Sequence, residues 1–284
     1  MKFTKMHGTG NDYIYVNGFE ETIDNPAAWS IRYSDRHKGI GADGLVLILP
    51  SKVADFRMRM FNADGSEAEM CGNASRCVGK YVYDNDLTRK TTLTLETLAG
   101  IRTLNLHLDQ KENKVKTVTV DMGEPVLESA KIPTTFSESP MINRQVKFSD
   151  TVEYGITCVS MGNPHAVIFT DKIDELNLPS IGSVIENATQ YFPCRINTEF
   201  IEKISPNSLK MRVWERGSGE TMACGTGASA AVVAGVLNQI CNRITTVELK
   251  GGNLTIEWRE ADNHVYLTGE AEVVFEGETD VVSG

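Results

Sequence analysis

NADGSEAEMCGN (residues 62–73) and ERGSGETMACGT (residues 215–226) read as two copies of one segment. Each follows a strand-like run, Phe56–Phe61 in one case and Leu209–Trp214 in the other. Each precedes a helix-like run, and each sets a cysteine immediately before a glycine at the helix start. Cys71 and Cys224 lie 153 residues apart, and the earlier pair Gly10-Asn11-Asp12 and Gly162-Asn163-Pro164 is spaced by 152. Two motif pairs at nearly one spacing, in the same order, indicate a duplicated unit of about half the 284-residue chain.

Working outward, short alternating or apolar runs dominate both halves. Asp12–Val16, Leu45–Leu49, Phe56–Phe61, Thr91–Leu95, Ile101–Leu108 and Val115–Met122 read as strands in the first. Gly162–Phe169, Thr198–Ile204, Leu209–Trp214, Thr245–Leu249, Leu254–Trp258 and His264–Phe275 do so in the second. Helices are expected over Pro26–His37, Gly72–Asp84, Asp174–Asn187 and Gly225–Ile240. The last is apolar on nearly every face, so other structure should surround it. The helix after Cys71 carries Arg76, Lys80 and Tyr81 and should be less enclosed. The expected fold is α+β, in two pseudo-symmetric halves. Each is a curved, mainly antiparallel sheet or barrel around a central helix, with the active site in the cleft between halves. The boundaries read as 1–122 and 123–269, with a C-terminal strand, about 270–284, able to pack back on the first half. The polar segment Gly123–Ser149, with three prolines, reads as a link between halves.

The net charge of −10 speaks against nucleic acid or an anionic membrane as partner. The N-terminus lacks the apolar core of a signal peptide, and no run approaches the ~18 apolar residues of a membrane span. A cytoplasmic location is expected. Six cysteines without a signal read as reduced thiols. No C-x-x-C pair occurs and no His stands near a Cys at finger-like spacing, so no metal site is expected. Cys77, Cys158, Cys194 and Cys241 read as small hydrophobes.

Cys71 and Cys224 are different because of where they stand. The first turn of a helix leaves N–H groups unpaired and carries partial positive charge. Both effects favour a thiolate and form an anion site. Glycine after each cysteine lets a ligand approach the backbone. Duplication would set the two motifs across one cleft. Inverting a carbon by proton transfer needs a base on one face and an acid on the other, and a thiol can serve as either. Backbone N–H groups aimed at an adjoining carboxylate would stabilise the charge that develops.

Six segments resemble the diaminopimelate epimerase family, in the family's order and over nearly the whole chain. They are KMHGTGNDYI, GIGADGL, FNADGSEAEMCGNASRC, MGNPHAV, RINTEF and WERGSGETMACGTGASA. The resemblance implies interconversion of LL- and meso-2,6-diaminopimelate in lysine and cell-wall precursor biosynthesis, with no cofactor and no metal. It implies Cys71 as proton donor and Cys224 as proton acceptor in the LL-to-meso direction, with His165 and Glu215 assisting. Gly72, Asn73, Gly225 and Thr226 would hold the carboxylate at the reacting carbon. Asn11, Asn62, Asn163, Asn197, Glu215 and Arg216 would fix the distal amino and carboxylate groups. Some relatives carry Gln where this chain has Gly44, so no side-chain contact is expected there. Phe275 stands where some relatives carry Tyr at a dimer contact, which makes a homodimer the expected assembly. Two other readings use the same cysteines. One is a proline or hydroxyproline racemase, which would not need the distal polar set. The other is a redox-sensing ligand-binding protein with a Cys71–Cys224 disulfide.

Overall fold

The computed structural model describes residues 1–279. It divides into two compact units, one formed by Met1–Asp121 with the C-terminal segment from Thr268, the other by Met122–Leu267. The part of the expected C-terminal strand over 280–284 lies outside the described residues.

In the first unit Glu272–Glu278 pairs antiparallel with Lys2–Gly8, which pairs antiparallel with Asn11–Asn17. The order continues through Gly44–Leu49 (parallel), Phe56–Asn62 (antiparallel), Thr92–Thr97 (parallel), Gly100–Asp109 and Lys114–Asp121 (both antiparallel). The second unit repeats the pattern. Arg144–Lys147 flanks Glu153–Ser160, followed by Pro164–Phe169 (antiparallel) and Asn197–Ser205 (parallel). Ser208–Glu215 (antiparallel), Ile244–Leu249 (parallel) and Gly252–Trp258 (antiparallel) complete it. The sheets are therefore more mixed than the alternation alone suggests, with two parallel joins in each unit. The strands at the first parallel join read as near-continuous apolar runs because both faces are covered: GLVLIL over Gly44–Leu49 and PHAVIF over Pro164–Phe169. Strands farther along alternate, as in Thr92–Thr97.

Four α-helices are present among the described residues: α1 (Pro26–Ser34), α2 (Gly72–Asp84), α3 (Leu178–Glu186) and α4 (Gly225–Leu237). Helix α2 packs on Lys2–Gly8, Asn11–Asn17, Gly100–Asp109 and Lys114–Asp121, which come from separate parts of the strand order, so the sheet bends around it. Helix α4 is wrapped likewise by five strands of its own unit. Each of the two helices buries ten of its thirteen residues. The expectation that α2 is the less enclosed is thus corrected. Arg76, the residue that suggested a wet face, is fully buried.

Other differences have local causes. Lys2–Gly8 was not expected as a strand, and in it Lys5 is buried against Asp12 at 2.6 Å and bonds the carbonyl of Gly41. Glu153–Ser160 and Arg144–Lys147 were also missed. The run His264–Phe275 is two strands, Val265–Glu270 and Glu272–Glu278, broken at Ala271. The Gly123–Ser149 segment is no loose tether, since its Ile132, Met141 and Val146 share a core with Ile156, Ile168 and Phe200. Among the described residues no helix is long and apolar enough to cross a membrane.

Candidate active site

The candidate residues gather where strands end beside the starts of α2 and α4. In the first unit Asn11 and Gly44 open strands and Asn62 closes one. In the second, Asn197 opens a strand and Glu215 closes one.

Cys71 is the N-cap of α2, with extended backbone (φ −142°, ψ 121°) and no side-chain capping bond. The helical ladder starts at Ser75 N–H on Cys71 O (2.9 Å), so the N–H groups before it have no partner within the helix. The Cys71 thiol donates to Asn11 Oδ1 at 3.5 Å, and Asn73 Nδ2 donates to the same oxygen at 3.3 Å. Asn11 is fixed from behind, its Nδ2 donating to Asp43 Oδ2 at 2.7 Å. Asn73 is fixed likewise, its Oδ1 accepting from Arg76 Nη1 at 2.9 Å. Asn62 Nδ2 donates to Ser66 Oγ (3.0 Å) across a turn. At Gly44 a Cβ would lie 2.0 Å from the Phe61 carbonyl oxygen, so this backbone admits no side chain there.

Cys224 is the N-cap of α4 in nearly the same conformation (φ −126°, ψ 109°), again without a side-chain capping bond. Its sulfur lies 3.5 Å from Thr226 Oγ1. Burial pushes this thiol well above the usual cysteine range, and the nearby carboxylates Glu215 and Glu199 push it further. The Thr226 hydroxyl and the nearby Gly227 N–H act the other way. Burial also raises Glu215, against bonds from Thr221 and Cys224. The Thr221 hydroxyl donates to Glu215 Oε1.

His165 is fully buried between two oxygens, Glu199 Oε1 at 2.7 Å from Nδ1 and Asn163 Oδ1 at 3.0 Å from Nε2. Asn197 uses both ends of its amide inside the protein, accepting from the Arg216 N–H at 2.8 Å and donating to Pro164 O at 3.1 Å. Arg216 is exposed and donates from Nη1 to Cys194 O at 2.9 Å.

The structure thus brings Cys71, Asn11 and Asn73 together in one unit. In the other it joins Cys224, Thr226 and Glu215, then His165 with Asn163, and Asn197 with Arg216. Gly72 and Gly225 are the first residues of their helices. Glu199 was missed, although two residues past Asn197 puts it on the same side of the strand. Asp43 and Arg76 were also missed. Asp43 lies beside Gly44 in the GIGADGL segment, and a cation inside a helix gave no signal of being dry. All six cysteines are reduced thiols, and no group of three or more His, Cys, Asp and Glu among the described residues is arranged to hold a metal ion.

The family model described as diaminopimelate epimerase matches residues 3–128 and 157–274. Relatives named diaminopimelate epimerase from Methanococcus maripaludis and Acetivibrio thermocellus are each 57% identical over 281 residues. Those alignments cover 99% of this chain and 100% and 99% of the relatives. A probable proline racemase from Agrobacterium radiobacter shares the fold at TM-score 0.71 and 13% identity, over 99% of this chain and 93% of its own. A phenazine biosynthesis protein of the PhzF family from Bacillus anthracis does so at TM-score 0.69 and 18% identity, over 99% of both chains.

Proposed function

The chain belongs to the diaminopimelate epimerase family and interconverts LL- and meso-diaminopimelate in lysine biosynthesis, and we propose that Cys71 and Cys224 move the protons. The observation that carries this reading is the matched pair of helix starts. Two helices at equivalent places in a repeated topology are each capped by a cysteine with extended backbone and no capping bond.

In the LL-to-meso direction the Cys224 thiolate takes the α-proton and the Cys71 thiol returns one to the opposite face. The protein ends with the proton on Cys224 and the charge on Cys71. Burial helps here, since a thiol whose proton is held tightly gives a strongly basic thiolate. First-turn N–H groups at Gly72, Asn73, Gly225 and Thr226 stabilise the α-carboxylate as it gains negative charge. Arg216 keeps guanidinium donors for the distal carboxylate. Glu215 and the oxygens of Asn11, Asn62, Asn163 and Asn197 suit an ammonium. His165, held by Glu199, orients the polar groups around Cys224. The distal set favours this substrate over proline.

Incubating the reduced protein with LL-diaminopimelate in D₂O should yield meso product with one deuterium at one α-carbon. Turnover of proline in place of diaminopimelate would move the reading to a racemase. We also propose a cytoplasmic homodimer, supported by the exposed row Val273, Val274 and Phe275. Sedimentation of Phe275→Glu should show more monomer than the parent protein.

A further inference from the structure

Glu186 is a carboxylate at the unfavourable end of a helix. It is the last residue of α3, where the macrodipole favours cations, and it is buried. Three donors converge on it. The Trp214 indole Nε1–H donates to Oε2 at 2.7 Å, while Arg195 Nη1 (2.9 Å) and the Gly217 N–H (2.8 Å) both donate to Oε1. Gly182, one turn earlier in α3, gives the Trp214 ring its room, since a Cβ there would lie 2.4 Å from Trp214 Cγ.

Two of these donors bracket Arg216. Glu186 holds the N–H of Gly217, the next residue, and Asn197 Oδ1 holds the N–H of Arg216 itself at 2.8 Å. The Arg216 guanidinium rests on Cys194 O (2.9 Å), and Cys194 immediately precedes Arg195, the ion-pair partner of Glu186. The backbone beside Arg216 and the segment on which its side chain rests are therefore tied to one buried carboxylate. Glu215 is held separately, by the Thr221 hydroxyl and by strand pairing with Gly219.

The first unit carries neither partner. At the 153-residue spacing Ala63 stands for Arg216 and Tyr33 for Glu186. Neutral bonds fix the matching turn, from the Ala63 N–H to Asp43 O (3.0 Å) and from the Ser30 hydroxyl to Asn62 O (2.8 Å). The carboxylate and the arginine occur together in one copy of the repeat and are both missing from the other.

Building on the reading that Arg216 binds the distal carboxylate, we propose that Glu186 is a positioning residue for substrate recognition. It fixes the turn and the Cys194 carbonyl so that the exposed Arg216 guanidinium is presented in one place. Preorganising a long, solvated side chain lowers the ordering cost that substrate binding otherwise bears. The effect falls on binding, because the groups around Cys224 have their own supports.

The test measures initial rates of LL-diaminopimelate epimerisation over a range of concentrations for the parent, Glu186→Gln, Arg216→Gln and the double variant. Glu186→Gln keeps the side-chain shape but replaces one accepting oxygen by a donor. Its KM should rise about tenfold, with kcat within about threefold of the parent. In the Arg216→Gln background the same substitution should change kcat/KM by less than about twofold, a non-additivity that a general loss of packing would not produce. An unchanged KM in folded Glu186→Gln, or an undiminished effect in the absence of Arg216, overturns the proposal. If Glu186→Gln does not fold, Glu186→Asp, which keeps the charge and shortens its reach by one methylene, is measured in the same way. An unchanged KM in that variant overturns the proposal. Arg216→Gln alone separates the two levels. If its KM rises while that of Glu186→Gln does not, the Glu186 proposal fails and the distal-carboxylate reading stands. If its own KM is unchanged, the distal-carboxylate reading fails and takes the proposal with it.

Discussion

The four helices start in two different ways. Helices α1 and α3 begin on asparagine caps, Asn25 and Asn177, whose side chains accept from Ala28 N–H (3.1 Å) and Ser180 N–H (3.4 Å), with proline in the first turn. Such starts satisfy the backbone and stop there. Helices α2 and α4 begin on Cys71 and Cys224, neither of which closes a side-chain capping bond. Leaving a cap unmade costs about 1 kcal/mol relative to a good one. Each unit contains one start of each kind, so the chain can build ordinary caps and does not do so at Cys71 and Cys224.

Exchanging the cysteines for a capping side chain tests this contrast most severely. Cys71→Ser and Cys224→Ser should each lower epimerisation by about 10²–10⁴-fold or more, the usual contribution of a positioned acid or base. Thermal stability should hold or rise, since serine is a better cap than cysteine. Variants that lost stability along with activity would show that the cysteines serve packing, and the division into two kinds of start would fail.

A smaller effect separates α2 from α4. Gly227 matches Ala74 at the repeat spacing. A Cβ on Gly227 would lie 2.6 Å from Glu199 Oε1, because the buried Glu199–His165 pair fills the space that Ala74 uses in α2. Gly227→Ala should cost about 1–3 kcal/mol by overpacking. Ala74→Gly should cost about 0.5–1 kcal/mol through helix propensity alone. Urea unfolding of both measures the difference. Equal costs would show that Glu199 yields freely.

Much of this was legible from two kinds of signal. The repeat and the strand–turn–helix setting of Cys71 and Cys224 predict both helix starts, and periodicity finds α2 to its last residue. Longer expected helices stop short, α1 at Ser34 and α4 at Leu237. What failed were charges that tertiary structure dries out. Lys5 lies in a strand that was not expected, its partner Asp12 coming from the next strand, and Arg76 passed for a surface residue. Glu199 carries no local sign of burial, since its partner His165 lies 34 residues earlier and meets it through a parallel pairing. Periodicity records which face is apolar, and partners brought in by topology decide whether a charge can share that face.

Thiols away from the helix starts should affect only stability, and the two units should differ in degree. Burial pushes Cys77 up to about 11 and Cys158 up to about 12, from an ordinary 9.0. Below pH 9 both folded and unfolded chains keep these protons, so the contribution is fully present. Above it the unfolded chain ionises first, and stability falls as pH rises toward each folded value. The slope is at most about 1.4 kcal/mol per pH unit for each thiol. Urea unfolding from pH 9 upward should show a shallower decline in Cys77→Ala and in Cys158→Ala than in the parent. A decline unchanged in both would mean these thiols are not the groups that hold their protons.

The smallest effects belong to the asparagine caps, where the comparison can be made quantitative. Asn25→Ala and Asn177→Ala each remove one bond to a first-turn N–H and should cost about 0.5–2 kcal/mol. Asn25 should cost more, since its bond to Ala28 N–H is shorter, at 3.1 Å against 3.4 Å. Asn25 is also exposed, so its loss leaves no cavity and isolates the capping term. Neither substitution touches the residues around Cys71 or Cys224, so epimerisation at a temperature below unfolding should stay within about twofold of the parent, less than the tenfold that 1.4 kcal/mol would produce. Thermal melts with initial rates on the same samples decide the matter. A cap variant that kept its stability but lost turnover would tie α1 or α3 to the chemistry and dissolve the distinction between helix starts that hold the fold and helix starts left open for a ligand.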